Sequence, residues 1–187
     1  MIIENNNKWA ICTPTKTGTY SLQHTLINRL KVAHKLQYDK HDTEYKGKGK
    51  RYMMVRHPLE RWASMYWFFV NLEERDASVF LKKYIGRGIN RFAEEWINRV
   101  KNKANEPNTM YLDNYHDIYL KFKPDKVFKL EDGLENVIEF LGYDIKVSRS
   151  NITKDKRDWH ETRNLLSEKN LDFIHQWAKP DIQFFKY

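Results

Sequence analysis

With 187 residues, 41% of them hydrophobic and 14% aromatic, the chain can bury a real core, and the composition excludes intrinsic disorder. The length suits one domain, expected over 1–187. Lys and Arg number 33 against 25 Asp and Glu, a formal net charge of +8, which excludes an acidic, self-solvating chain. An excess of this sign favours an anionic partner: nucleic acid, an acidic membrane face, an acidic glycan or a phosphorylated cofactor. The alternative is a solvated basic surface.

Cys12 is the single cysteine, so no intramolecular disulfide forms, and its expected role is packing in a strand. The segment Met1 to Lys8 is polar and Asn-rich, without the apolar core of a signal peptide. No segment reaches the ~18 apolar residues of a membrane span. The expectation is a soluble, cytoplasmic protein.

In chain order, Trp9-Ala10-Ile11-Cys12 reads as a buried strand. A hydroxyl-rich turn, Thr13 to Thr19, follows, and then a helix with Leu22, Leu26, Ile27 and Leu30 on one face. Residues 34–50 read as an exposed charged connection with a short strand near Leu36 to Tyr38. Tyr52-Met53-Met54-Val55 predicts a second buried strand, and Pro58 suits the first turn of a helix running to about Leu72. Ser78 to Val100 reads as helical with an interruption near Gly86 and Gly88, while 101–120 carries no clear period. Lys126 to Leu130 predicts a third strand, and Leu134, Val137, Ile138 and Leu141 a helix stopping at Gly142. Near the end, Ser167 is placed to cap a helix, with Leu166 and Leu171 as a hydrophobic staple. Alternating strands and helices predict an α/β fold with a central parallel sheet covered on both faces, whose ligands bind at the carboxyl ends of strands.

Two segments fall at such ends. In the first, Lys16 adds a full charge, Gly18 lets the backbone approach an anion, and Thr17, Thr19 and Ser21 offer hydroxyl donors at a helix start. An ordinary strand–turn–helix with a surface lysine is the alternative. The P-loop NTPase pattern requires a glycine upstream and the lysine after a glycine. Here Lys16 precedes Gly18, which weakens an ATP or GTP reading.

The order Pro14-Thr15-Lys16-Thr17-Gly18-Thr19-Tyr20-Ser21-Leu22 resembles the 5′-phosphosulfate loop of sulfotransferases that use 3′-phosphoadenosine 5′-phosphosulfate (PAPS). It departs from the family pattern in the inserted Thr15 and in Tyr20, which stands where a small hydroxyl residue is common. The second segment, Met53-Met54-Val55-Arg56-His57-Pro58-Leu59-Glu60-Arg61 with Ser64-Met65-Tyr66, resembles the family's 3′-phosphate motif and is most similar to the carbohydrate sulfotransferases. Phe128 to Asp132 and the ending Lys179 to Tyr187 resemble later family segments.

The resemblance implies a P-loop-like sulfotransferase fold and an enzyme that moves a sulfuryl group from PAPS to an acceptor hydroxyl or amine, leaving adenosine 3′,5′-bisphosphate (PAP). Lys16, Thr17, Gly18, Thr19, Tyr20 and Ser21 would hold the phosphosulfate, and Arg56 and Ser64 the 3′-phosphate. Lys16 would also stabilise the leaving phosphate oxygen. His41 is the candidate general base, with Asp42 and Glu44 as rivals. The segment Thr153 to Trp159 reads as a basic loop over the nucleotide or a solvated turn, with Trp67 and Trp159 as adenine-facing or packing residues. No acidic metal cluster stands out, so no metal is expected. The acceptor is a small molecule or, favoured by the basic balance, a glycan. A nucleic-acid or polyanion-binding module and a kinase-like P-loop protein are the alternatives; no nucleic-acid motif is present, so no nucleic-acid partner is expected.

Overall fold

The computed structural model describes residues 1–4, 6, 8–29, 36–38, 45–71, 88–103, 112–148 and 157–187. The chain gathers into two compact units, one from Met1–His57 with Tyr115–Ile152, the other from Pro58–Asn114 with Thr153–Tyr187.

The first unit is α/β and carries one five-stranded sheet. Its strands are β1 (Ile2–Glu4), β2 (Trp9–Cys12), β3 (Leu36–Tyr38), β4 (Lys50–Val55) and β5 (Lys126–Lys129), in the order β3-β1-β2-β4-β5. The three apolar runs expected as strands are β2, β4 and β5, and they pair in parallel, Cys12 opposite Met53 and Val55 opposite Lys129. The sheet as a whole is mixed, which corrects the expectation of a parallel one. β1 runs antiparallel to both β2 and β3. Met1 and Ile2 are fully buried, and that apolar pair is enough to add a strand ahead of the polar turn. In that turn the Glu4 carboxylate accepts the Asn6 N–H at 3.0 Å and the Lys8 N–H at 3.1 Å, closing the hairpin.

All four residues of β2 are buried, Cys12 among them, so both faces of this central strand are covered. Helix α1 (Thr19–His24) continues as a π-helical turn, Thr25–Arg29, in which the Thr25 hydroxyl donates to the Ser21 carbonyl at 2.7 Å. Helices α4 (Tyr115–Phe122) and α5 (Leu134–Phe140) complete this unit, α4 beginning inside the stretch whose sequence carries no clear period. Ile2, Trp9, Ile11, Leu22, Leu26 and Met54 pack with Phe128 and the α5 residues Leu134, Val137 and Ile138. As expected, α5 stops at Gly142, whose φ is +83°. The Tyr143 N–H reaches the Ile138 carbonyl and the Gly142 N–H the Glu139 carbonyl, a Schellman closure.

The second unit is helical: α2 (Pro58–Val70), α3 (Ile89–Lys101), α6 (Trp159–Arg163) and α7 (Glu168–Phe185). Pro58 opens α2 at the first helical position. The part of the expected 78–100 helix before Gly88 lies outside the described residues. Trp62, fully buried, is ringed by Phe92, Trp96 and Trp159 at centroid distances of 5.8, 6.0 and 6.3 Å. Leu166 and Leu171 both pack on this core, as a staple requires. Ser167 is the N-cap residue of α7, but its side chain makes no capping bond; its N–H donates to Asn90 Oδ1 at 2.7 Å. No described helix is long and apolar enough to cross a membrane.

Candidate anion site at the strand ends

In the first unit, β2 and β4 run side by side in the same direction, so the residues after each leave from the same end of the sheet. Thr13–Gly18 leaves β2; Arg56 and His57 leave β4. The turn Leu130–Asp132 leaves β5 at that end as well. Three loops thus meet where a parallel sheet ordinarily takes its ligand.

The loop after β2 turns by using the left-handed region twice, at Lys16 (φ +66°) and Gly18 (φ +78°). Glycine enters it freely, whereas a residue with a Cβ is held there at roughly 1–2 kcal/mol. Lys16 is therefore kept in a strained conformation by its surroundings, half-buried between Thr15 and Thr17, which are both buried. The Thr17 hydroxyl donates to the Pro14 carbonyl at 2.6 Å, and the Thr19 hydroxyl to the Thr13 carbonyl at 3.3 Å. These two hydroxyls, which the sequence suggested as anion donors, brace the loop instead. Thr13 Oγ1 is buried and has no hydrogen-bond partner among the described residues. Tyr20 is exposed and Ser21 half-buried at the start of α1.

The turn after β5 supports both neighbours. A Cβ on Gly18 would lie 3.0 Å from Leu130 Cδ1 and 3.3 Å from Leu134 Cδ1, so the loop is pressed onto these leucines. The Glu131 carboxylate accepts the His57 N–H at 2.7 Å, tying the Arg56–His57 turn to the same segment. Arg56 itself is half-buried. Two cationic side chains, Lys16 and Arg56, thus leave one end of the sheet from adjacent strands, with Glu131 as the acid that holds the second turn. Comparison with protein-family models, curated proteins and solved structures gives no match.

Ser64, on α2 in the second unit, is buried. In the same helix the buried Arg61 guanidinium donates to the Asp113 carbonyl at 2.7 Å and lies 5.7 Å from the Trp177 ring centre. The Glu60 carboxylate accepts the Trp159 N–H at 2.9 Å. Both charged residues after Pro58 therefore have structural work within their unit. Burial pushes the Tyr66 hydroxyl above its ordinary range, with the Arg157 charge pulling the other way, so it stays protonated at neutral pH.

His41, Asp42 and Glu44 lie outside the described residues, as do 153–156 of the expected basic loop. From Arg157 onward, where Arg157 and Asp158 are exposed, that segment passes into a helix start. Asp158 accepts the Glu161 N–H at 2.9 Å and Glu161 accepts the Asp158 N–H at 3.3 Å, a reciprocal cap on α6. Trp159 is buried in the core of the second unit, which gives it the packing role. The Trp67 indole N–H donates to the Thr162 hydroxyl at 2.9 Å, and Arg157 stands 5.1 Å over its ring. Among the described residues no group of three or more His, Cys, Asp or Glu is arranged to hold a metal ion.

Leu130 and Glu131 belong to this end of the sheet without having been expected there. Leu130 reads in the sequence as the last residue of the third strand and Glu131 as the lead-in to α5; that β5 ends beside β4 is what turns them toward the site. Gly18→Ala should lower stability by about 1–2 kcal/mol from the left-handed backbone alone, with further loss from the leucine contact. Urea denaturation measures it, and an unchanged midpoint would show that this turn is not held as described.

Proposed function

We propose that the chain is a PAPS-dependent sulfotransferase with a P-loop-like sulfotransferase fold, acting on an acceptor hydroxyl or amine, with a glycan the favoured acceptor. The observation that carries the reading is the shared origin of the Lys16 loop and Arg56 at the carboxyl ends of adjacent parallel strands. Their two sequences are the ones that resemble the family's donor motifs. The strain at Lys16 supports it too, since non-glycine residues in the left-handed region gather at ligand clamps. So does the buried Thr13 hydroxyl at the root of the loop, which has no partner among the described residues.

PAPS supplies a sulfuryl group bonded to a phosphate leaving group. On this reading the Lys16 ammonium stabilises the charge that grows on the leaving oxygen as the S–O bond breaks and the acceptor oxygen or nitrogen bonds to sulfur. The Arg56 guanidinium holds the 3′-phosphate by charge-assisted hydrogen bonds. The acceptor proton passes to a base, for which His41, Asp42 and Glu44 are the candidates.

Incubation with PAPS carrying labelled sulfur, against a panel of glycans, phenols and amines, should move label to one class with release of an equal amount of PAP. Release of inorganic sulfate at the same rate with and without every acceptor would contradict transfer.

Glu131 enters as a positioning residue. Glu131→Ala removes the acceptor for the His57 N–H and should weaken PAP binding by about 5-fold, the worth of one ordinary hydrogen bond. Glu131→Gln, which keeps an acceptor oxygen, should bind PAP at least as well as the wild type. Equal loss in both variants would mean that the charge, and not the hydrogen bond, is what matters.

A further inference from the structure

At the opposite end of the same sheet, the amino ends of β2, β4 and β5, the structure gathers lysines from three stretches of chain. Lys8 and Lys50 meet where the Lys50 N–H donates to the Lys8 carbonyl at 2.9 Å. Lys46 and Lys48 precede them in Lys46-Gly47-Lys48-Gly49-Lys50. Lys121, Lys123 and Lys126 come from the end of α4 and the start of β5. All seven are exposed. The Arg51 guanidinium joins these stretches: it donates to the Phe122 carbonyl at 3.2 Å and stands 5.9 Å over the Tyr45 ring. The Lys-Gly segment is fitted closely to this scaffold, because a Cβ on Gly47 would collide with the buried Tyr45 ring.

Among the described residues, the acids here do not offset the excess. Asp125 pairs with Lys50 at 3.6 Å and accepts the Arg51 N–H at 2.7 Å; the Glu4 carboxylate is buried and engaged by the Asn6 and Lys8 N–H groups. Glu139 is exposed beside Phe140. Like charges concentrated on a fitted surface repel one another in the free protein, and a polyanion relieves that repulsion.

We propose that this face is a binding surface for a linear acidic polysaccharide, carboxylated or sulfated, separate from the anion site at the other end of the sheet. The chemistry favours this polymer over the others. Single-stranded nucleic acid gains affinity by stacking bases on free aromatic faces, but Tyr45 is buried and the Phe140 ring has the Lys126 ammonium 3.8 Å from its centre. A membrane surface calls for a contiguous apolar patch to bury among the lipids; exposed Leu120 comes from α4 and Phe140 from α5, with the lysines of the β5 start between them in sequence. What the face offers throughout is ammonium groups on flexible stems, suited to repeated carboxylates or sulfates.

The test is binding of a heparin decasaccharide to the full chain across a salt series. The triple variant Lys46→Gln/Lys48→Gln/Lys123→Gln is compared with Lys169→Gln/Lys179→Gln/Lys186→Gln, which removes the same charge from the other unit. The first triple should weaken binding at least about ten-fold and flatten the dependence of log affinity on log salt by roughly one per lysine. The second should stay within about two-fold of wild type. Equal weakening by both triples would overturn the proposal, since only net charge would be at work. Tighter binding of a charge-matched duplex oligonucleotide, or of phosphatidylserine vesicles, would overturn the choice of partner. PAP affinity, measured alongside, should be the same in the first triple as in the wild type, and a change there would merge this face with the anion site.

Discussion

Replacing Lys16 by alanine should lower the rate far more than it lowers donor affinity. In the ground state the ammonium is one contact among several to the phosphosulfate, sharing the task with the backbone of the loop. In the transition state it faces the oxygen that is gaining charge, so its stabilisation grows as the S–O bond opens. By analogy with loss of one oxyanion donor, kcat should fall roughly 10²–10³-fold, with a smaller loss in PAPS affinity. Single-turnover rates measured beside PAPS titrations separate the two, and a change confined to KM would contradict the role. The backbone supplies a control. Lys16 sits at φ +66°, so Lys16→Gly removes the same side chain while relieving the left-handed strain. It should be as slow as Lys16→Ala yet more stable by about 1 kcal/mol. A defect that followed stability instead of the missing ammonium would assign Lys16 to folding.

Arg56→Ala should produce the largest loss of binding, and a selective one. A guanidinium on a phosphate makes paired charge-assisted hydrogen bonds, each worth about 1.5–3 kcal/mol. PAP affinity should therefore fall at least roughly 100-fold, the loss of two such bonds. Adenosine 5′-phosphosulfate lacks the 3′-phosphate and should lose much less. Calorimetric titration of the two ligands against wild type and variant reads the difference directly. Equal losses would mean that Arg56 serves the turn after β4 and not the ligand.

How far the sequence reached depended on how local the signal was. β2 and the end of β4 announced themselves as short apolar runs, because a strand buried on both faces needs nothing else, whereas the edge strand β5 showed only as Val127 and Phe128 between lysines. The stop at Gly142 was equally local, a glycine placed where only a left-handed residue closes the helix. β1 was masked by its neighbours: two isoleucines stand next to a polar turn, and the averaged composition of Met1 to Lys8 hides them. The same averaging hid α4, whose apolar face rests on Tyr115, Ile118 and Phe122 amid charged residues. In the candidate site, Lys16, Gly18 and Arg56 were legible from residue type and order. The inward use of the Thr17 and Thr19 hydroxyls was not, since a hydroxyl beside a turn reads the same whether it meets a ligand or its own carbonyls. Glu131 and the leucines under Gly18 depend on strand order, which no local pattern encodes.

Whether the loop after β2 and the turn after β4 hold PAP is tested most directly by titrating PAP into the folded wild-type chain while following its thermal transition, with ATP as the comparison. PAP should bind and raise the melting temperature, with a stabilisation of about 2.7 kcal/mol at 100 times Kd, and ATP should do much less. No shift at millimolar PAP, with the protein shown to be folded, or a larger shift with ATP, would contradict the account.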